Sequence, residues 1–334
     1  MNILLYGATG SIGDSLFSVV RKNKKRYKII AGTCNTNFLK LGKLKKEFNI
    51  KKVGINNARS AERYKVNFKN KKNLFIGNDS FSKLITSDVD IIILAISGLG
   101  ALDICFDIFK SGKIVGLANK ECIISLGPRL IKLAKKYNTK IIPLDSEHNS
   151  IFRLLALNSD FKSITITASG GPFLNKSINQ LHNVKPDQAI KHPIWKMGKK
   201  ISVDSATMMN KALEIIEAKY LFNLKANQIN AVIHPESIIH AAVNYNDNTS
   251  ISLLNKPDMR IPISYLLQTK DHKNEYIDIF NYLDKKRLTF FKINNKKYPA
   301  IKLAYKVLEL GGIAPHIFNY NNEVLVSHFL NNNI

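Results

Sequence analysis

The chain opens on a short apolar run, residues 3–6, that passes directly into Gly7-Ala8-Thr9-Gly10-Ser11-Ile12-Gly13 and then into an amphipathic stretch. Glycines at these spacings permit a tight turn, let backbone approach a pyrophosphate, and let a helix pack close to a strand. The free N–H groups and dipole at the helix start then favour phosphate. A glycine turn can also be merely structural. Placed at the very start of a strand–helix unit, the stretch from Gly7 to Gly13 predicts a dinucleotide-binding α/β fold.

The following residues continue that pattern. Apolar runs at 28–33, 89–96, 113–117 and 140–144 predict strands, and amphipathic stretches at 16–23, 39–48, 101–110 and 130–137 predict helices. Such alternation builds a parallel sheet covered on both faces, with right-handed crossovers. After Asp145 the pattern changes. A strand over 163–168 ends in Ser169-Gly170-Gly171-Pro172, a helix is predicted over 206–222, and alternating runs at 238–245 and 250–254 flank Asn246-Asp247-Asn248 as a hairpin. The reading is an N-terminal Rossmann-like parallel-sheet domain over 1–145 and an α+β catalytic domain over 146–269. A lysine-rich linker over 270–297 and a C-terminal helical segment over 298–334, with helices at 300–310 and 322–330, complete it.

The net charge of +25 raises a nucleic-acid reading, which the composition argues against. Of the 50 basic residues only eight are Arg, leaving 42 Lys spread along the whole chain. Base readout and bidentate phosphate clamps favour Arg, and no zinc-finger, RRM-like or basic-zipper pattern is present. A solvated basic surface that attracts anionic substrates is expected, with no nucleic-acid partner. No apolar run reaches the roughly 18–20 residues of a membrane helix, and Met1 leads straight into a strand. A cytoplasmic enzyme with no membrane partner is expected. The cysteines, Cys34, Cys105 and Cys122, are too scattered for a disulfide framework or a zinc site.

The choice of dinucleotide turns on the second strand, after which NAD-binding folds carry an acid for the ribose 2′-hydroxyl. No acidic residue occurs between Asp14 and Glu47. The strand ends instead in Cys34-Asn35-Thr36-Asn37, with Lys40 and Lys43 close behind. This favours NADPH, with Asn35, Thr36 and Asn37 as candidate cofactor contacts.

Asp145-Ser146-Glu147 follows the strand at 140–144, on the sheet edge where open α/β folds bind ligands. If the extended conformation continues, Asp145 and Glu147 point to the same side. Convergent carboxylates repel unless a cation or a shared proton intervenes, and hard oxygen donors suit Mg²⁺ or Mn²⁺. Alone, the tripeptide is more often a helix cap or a solvated pair than a metal site. Asn210, Lys211 and Glu214 share one face of the predicted 206–222 helix, with Met209, Leu213 and Ile216 opposite. Glu214 is thus a candidate third metal ligand, and Lys211–Glu214 is alternatively an ordinary surface pair. Asn119-Lys120-Glu121 follows another strand, where the lysine is placed to meet cofactor and substrate. His192-Pro193-Ile194-Trp195-Lys196-Met197-Gly198 reads as a closing segment, with Trp195 as an apolar lid and His192 bonding an anion.

The stretches 7–13, 117–121, 143–152, 167–173, 192–222, 234–240 and 257–262 resemble the 1-deoxy-D-xylulose 5-phosphate reductoisomerase family. The run from Lys199 through Ser205-Ala206-Thr207-Met208-Met209-Asn210-Lys211 is its most distinctive part. The resemblance implies NADPH-dependent conversion of that sugar phosphate to 2-C-methyl-D-erythritol 4-phosphate for isoprenoid synthesis. The skeleton would rearrange by retro-aldol cleavage and re-addition before hydride transfer. It implies metal ligation by Asp145, Glu147 and Glu214, with Mn²⁺ or Mg²⁺ as the ion. A substrate cradle of Ser169, His192, Ser205, Asn210 and Lys211 is implied, with Ser146, Lys120 and Trp195 also at the substrate. Catalytic roles fall to Lys120, Glu147, His192 and Lys211. The cofactor would lie on Thr9, Gly10, Ser11 and Ile12, with Asn37, Asn119, Glu121, Met197 and Gly198 completing its site, and the active form would be a homodimer. Two departures stand out. The family often has Gly and a basic residue where this chain has Asn35 and Thr36, and the chain ends sooner, so the C-terminal helical domain is expected as a short, truncated segment.

Two rivals remain at this level. Another NADP-linked oxidoreductase, such as a semialdehyde dehydrogenase, would need Cys122 as nucleophile. A dinucleotide-sensing or nucleic-acid-binding protein would not need the three acids together.

Overall fold

The computed structural model describes residues 1–68, 73–158, 160–195, 197–267, 277–284 and 287–334. The first elements are β1 (Asn2–Tyr6), α1 (Ser11–Lys22), β2 (Lys28–Cys34), α2 (Phe38–Phe48), β3 (Lys52–Ile55), α3 (Ala58–Phe68) and β4 (Leu74–Ile76). They continue with β5 (Ile91–Leu94), α4 (Leu102–Phe109), β6 (Ile114–Leu117), α5 (Lys120–Lys136) and β7 (Lys140–Pro143). There follow α6 (Ser146–Leu155), β8 (Phe161–Ala168), α7 (Pro186–Ala189), α8 (Lys199–Ala206), α9 (Met209–Leu221) and β9 (Ile229–Ile233). The last are β10 (Ile239–Tyr245), β11 (Ser250–Leu254), α10 (Arg260–Leu266), α11 (Pro299–Leu310) and α12 (Ala314–Leu330). Two compact units result. One comprises Met1–Cys122, Pro128–Leu144 and the α10 stretch from Met259; the other comprises Ile123–Gly127, Asp145–Asp258 and the C-terminal residues to Ile334.

The first unit is built on a seven-stranded sheet in the order β4-β3-β2-β1-β5-β6-β7, parallel throughout. The order reverses between β1 and β5, which pair from Ile3↔Ile91 to Tyr6↔Leu94. Both strands are entirely enclosed apart from Asn2, as sheets covered on both faces require. Open α/β sheets bind ligands at such a switch point, which here is the exit of β1. Strands β3 and β4 carry four and three residues and were not expected. Helix α5 starts at Lys120 rather than 130 and runs through Pro128. Its cap explains the earlier start: the side-chain Oδ1 of Asn119 accepts from Cys122 N at 2.8 Å.

The second unit is a four-stranded sheet in the order β11-β10-β8-β9, antiparallel except for the β8–β9 pair. Helix α6 packs on β10, and α9 packs on β9 and α11. Ile151, Leu154, Ile164, Ile166, Leu213 and Ile216 lie in the apolar core between these layers. A smaller cluster of Phe173, Ala189, Val203, Ala206 and Val326 joins α8 to α12.

Two expectations are corrected. The helix anticipated over 206–222 is α9 and begins only at Met209, because Met208 takes a left-handed conformation with φ 60°; α8, which ends at Ala206, was not anticipated. A buried methionine in that region is uncommon and costs backbone energy, so the surrounding packing holds it there. The stretch 270–297, read as a linker, falls partly outside the described residues. Within it Phe291 pairs antiparallel with Ile233, exchanging N–H···O bonds of 2.8 and 2.9 Å, so this part is tied to the edge of β9.

Candidate active site

In the first unit the turn after β1 has the geometry its glycines imply. Gly7 sits at φ +85°, and a Cβ there would meet the Ala95 carbonyl oxygen at 2.3 Å; one on Gly13 would meet that of Ala8 at 2.2 Å. Gly10 differs, since its nearest neighbour would lie 3.6 Å away, leaving open space beside the helix start. The turn is tied to β2: Gly7 N donates to Thr33 Oγ1 at 3.1 Å and Ala8 N to Thr33 O at 2.7 Å. Thr9, Ser11 and Ile12 line the same turn and the first turn of α1. Asn35, Thr36 and Asn37 are exposed after β2, and Asn37 caps α2 by accepting from Lys40 N at 3.2 Å. Lys40 itself bonds Asp14 and the Thr9 carbonyl. Asn119 spans the exits of β5 and β6, its Nδ2 donating to Ile96 O and Gly98 O at 2.8 and 2.9 Å. Lys120 and Glu121 follow it, both buried, at the start of α5.

In the second unit the chain turns into α6 immediately after β7, so Asp145 and Glu147 do not converge along an extended strand as expected. Asp145 is the helix cap, its Oδ1 accepting from Glu147 N at 3.1 Å and His148 N at 3.4 Å. Capping aims its carboxylate at the first turn, where Glu147 projects. The cap and metal-ligand readings of Asp145 are therefore compatible.

Glu214 reaches the same place from α9. Ligand oxygens of Asp145, Glu147 and Glu214 all lie within 4.8 Å of one another. Lys211 Nζ donates to Glu147 Oε1 at 2.7 Å and also to Glu214, and Asn210 Nδ2 donates to the other Glu214 oxygen. Ser146 Oγ donates to Glu147 Oε2 at 2.5 Å. Lys211 and Glu214 are both buried, which rules out the ordinary surface pair. Burial alone would lower the Lys211 pKa, but Glu147, Glu214 and Asp145 outweigh it and hold it raised. The donor set is all oxygen, negatively charged and convergent, which fits Mg²⁺ or Mn²⁺ in chemistry and number of protein ligands.

Sequence reasoning missed the groups behind this triad. His148 is fully buried, its Nδ1 standing 3.3 Å from Asp145 Oδ1 and 3.3 Å from Glu217 Oε2, while Nε2 lies 3.1 Å from the Glu214 carbonyl. Burial opposes its charge, but Glu217 and Asp145 raise its pKa to about 9. The signal was present as helical spacing, His148 three residues after Asp145 and Glu217 three after Glu214. It was legible only once α6 was recognised.

The Ser169 turn and α8 form a second cluster. Ser169 Oγ lies 3.0 Å from His192 Nε2 and accepts from Gly171 N at 3.2 Å. His192 Nδ1 accepts from Ile194 N and Trp195 N at 3.2 and 2.9 Å, which fixes the proton on Nε2. Burial pushes the His192 pKa down to about 4, so the ring is a neutral donor at physiological pH. Gly171, at φ +65°, lets this turn press on α8: a Cβ would meet Ser205 O at 2.6 Å. Ser169 and Ser205 are thereby held on touching backbone. The Trp195 ring stands 6.1 Å from that of His240, whose Nε2 has no hydrogen-bond partner among the described residues. Met197 and Gly198 lead into α8, with Gly198 as its cap; Lys196 lies outside the described residues. A cavity of about 730 Å³ opens beside this segment, lined by Pro193, Ile194, Pro235, Glu236, Ile238 and Lys256 among others.

Cys122 is fully buried in the first turn of α5, which argues against the thiol-nucleophile rival. Among the described residues no helix is long and apolar enough to cross a membrane.

A doubly wound sheet with a glycine turn at its switch point, together with an α+β unit carrying three convergent carboxylates, defines a dinucleotide-dependent oxidoreductase with a divalent-cation centre. Profiles of the 1-deoxy-D-xylulose 5-phosphate reductoisomerase match residues 3–127, of its C-terminal domain residues 141–222, and of a further DXP reductoisomerase C-terminal domain residues 254–334. The reductoisomerase of Clostridium novyi (strain NT) is 41% identical over 339 residues, covering 100% of this chain and 88% of the relative. That of Wolbachia pipientis wMel is 41% identical over 344 residues, covering 99% and 86%. A crystal structure of DOX-P reductoisomerase in complex with NADPH, fosmidomycin and magnesium superposes with a TM-score of 0.94 at 35% identity, covering 100% of this chain and 86% of that one. The Zymomonas mobilis enzyme in complex with NADPH gives 0.90 at 33% identity, covering 100% and 87%. The chain belongs to the 1-deoxy-D-xylulose 5-phosphate reductoisomerase family.

Proposed function

We propose that this chain isomerises and reduces 1-deoxy-D-xylulose 5-phosphate to 2-C-methyl-D-erythritol 4-phosphate with NADPH, using a divalent cation held by Asp145, Glu147 and Glu214. The observation that carries it is the approach of those three carboxylates to within 4.8 Å of one another. Relatives of that name and solved complexes with NADPH and magnesium support the choice of substrate and cofactors.

The bound cation supplies Lewis acidity to the substrate's ketone and neighbouring hydroxyl oxygens. The rest falls to the chain's own groups. Glu147 lies between Ser146 and Lys211, so a carboxylate, a hydroxyl and an ammonium are prepositioned around the reacting carbons. Ser169, His192, Ser205, Asn210 and Lys211 form the cradle for the substrate phosphate and hydroxyls, and anchoring of the phosphate supplies binding energy away from the chemistry. A neutral His192 donates through Nε2 without taking up a proton. Closure of the 192–198 segment, with Trp195 as its apolar face, excludes water from intermediates.

For the cofactor, Gly7, Thr9, Gly10, Ser11, Ile12 and Gly13 take the pyrophosphate, and Asn35, Thr36 and Asn37 the adenosine side. Roles for Lys120 at the substrate, and for Asn119, Glu121, Met197 and Gly198 at the cofactor, are carried over from the family pattern. A homodimer in the cytoplasm completes the reading.

The test is NADPH oxidation driven by 1-deoxy-D-xylulose 5-phosphate. Activity should vanish with EDTA and return with Mn²⁺ or Mg²⁺. Turnover that survives chelation would reject the reading.

A further inference from the structure

Asp204 immediately precedes Ser205 on α8 and is only 2% exposed. Its Oδ1 accepts from Asn322 Nδ2 of α12 at 2.8 Å, and its Oδ2 from Lys200 Nζ, one turn earlier, at 3.1 Å. Lys200 also stands 3.5 Å from Glu323 Oε1 of α12. Val203 and Ala206 of α8 and Val326 of α12 share one buried apolar cluster, so the same two helices also meet through apolar packing. Burying a carboxylate costs several kcal/mol unless it is fully bonded, and an apolar residue of similar size often serves stability as well. What the polar contact adds is direction. Apolar packing tolerates a helix turning about its axis, whereas a 2.8 Å bond between an amide and a carboxylate does not.

The turn of α8 matters because the Ser205 backbone is pressed against Gly171, two residues from Ser169. A rotation of α8 therefore moves Ser205 Oγ and changes its spacing from Ser169 at once. We infer that Asp204 and Asn322 are positioning residues that set the orientation of α8, making α12 a support for the phosphate cradle. This rests on the assignment of Ser205 to the substrate phosphate.

The experiment compares Asn322→Ala and Asp204→Asn with the parent enzyme, using Leu308→Ala on α11 as a control of lowered stability. Asn322→Ala removes the 2.8 Å amide bond from α12 to that carboxylate and should raise KM for the sugar phosphate roughly tenfold while kcat changes less than about twofold. Inhibition by inorganic phosphate should weaken by the same factor. Asp204→Asn keeps an acceptor for Asn322 and should hold KM within about threefold. Leu308→Ala should lower the melting temperature without moving KM. An Asn322→Ala enzyme with unchanged KM, or with only kcat lowered in step with stability, would overturn the inference. An inactive parent enzyme would instead reject the functional reading.

Discussion

Lys211 Nζ bridges Glu147 and Glu214, occupying with its single positive charge the space between two carboxylates from different helices. Three acids this close would otherwise repel, so the lysine holds the centre together before a cation arrives.

Replacing Lys211 with Met leaves the carboxylates buried without that charge and should destabilise the metal-free protein by about 3 kcal/mol. Because a cation can supply the missing charge, saturating Mn²⁺ should raise the melting temperature of the variant more than that of the parent. Thermal unfolding with EDTA and with Mn²⁺ checks both. Equal shifts would mean that lysine and cation do not share one role.

His192 should titrate near 4 rather than at 6.5, because burial disfavours its charged form. The sign follows directly. The unfolded chain takes up a proton first as pH falls below 6.5, so the folded state loses stability from there down through 4 and gains nothing above. Histidine NMR should show the Nε2–H tautomer still neutral at pH 5.5. A transition near 6.5 would contradict the buried acceptor geometry at Nδ1.

The glycine turn separates two kinds of substitution. Gly13→Ala drives a Cβ against the Ala8 carbonyl and should cost about 1–3 kcal/mol of stability. Gly10→Ala meets nothing closer than 3.6 Å, so it should fold normally yet raise KM for NADPH by crowding the pyrophosphate. Unfolding curves and cofactor kinetics distinguish them; equal stability losses would show that Gly10 is structural.

Asn35→Asp restores an acid after β2, where repulsion against a 2′-phosphate is expected. The ratio of kcat/KM for NADPH over NADH should fall roughly tenfold. An unchanged ratio would place the 2′-phosphate elsewhere.

What was legible in the sequence divides along physical lines. The glycine turn was readable because Gly7 and Gly13 are demanded by backbone contacts that no other residue satisfies. Asp145, Glu147 and Glu214 were readable as acids in a suggestive setting, though the route to their convergence was not. An extended strand was expected where Asp145 caps a helix. The break at Met208 was invisible because methionine is a good helix former, and only tertiary packing drives it left-handed. His148 and Glu217 stayed hidden because their meaning depends on two helices meeting.

The central claim is that Asp145, Glu147 and Glu214 share one divalent cation. Mn²⁺ binding followed by electron paramagnetic resonance tests it most directly, on the parent and on Glu214→Gln. The account expects one tight site per chain in the parent and affinity weakened at least roughly tenfold in the variant, as for loss of a charged ligand. A variant that binds Mn²⁺ as tightly as the parent would contradict it.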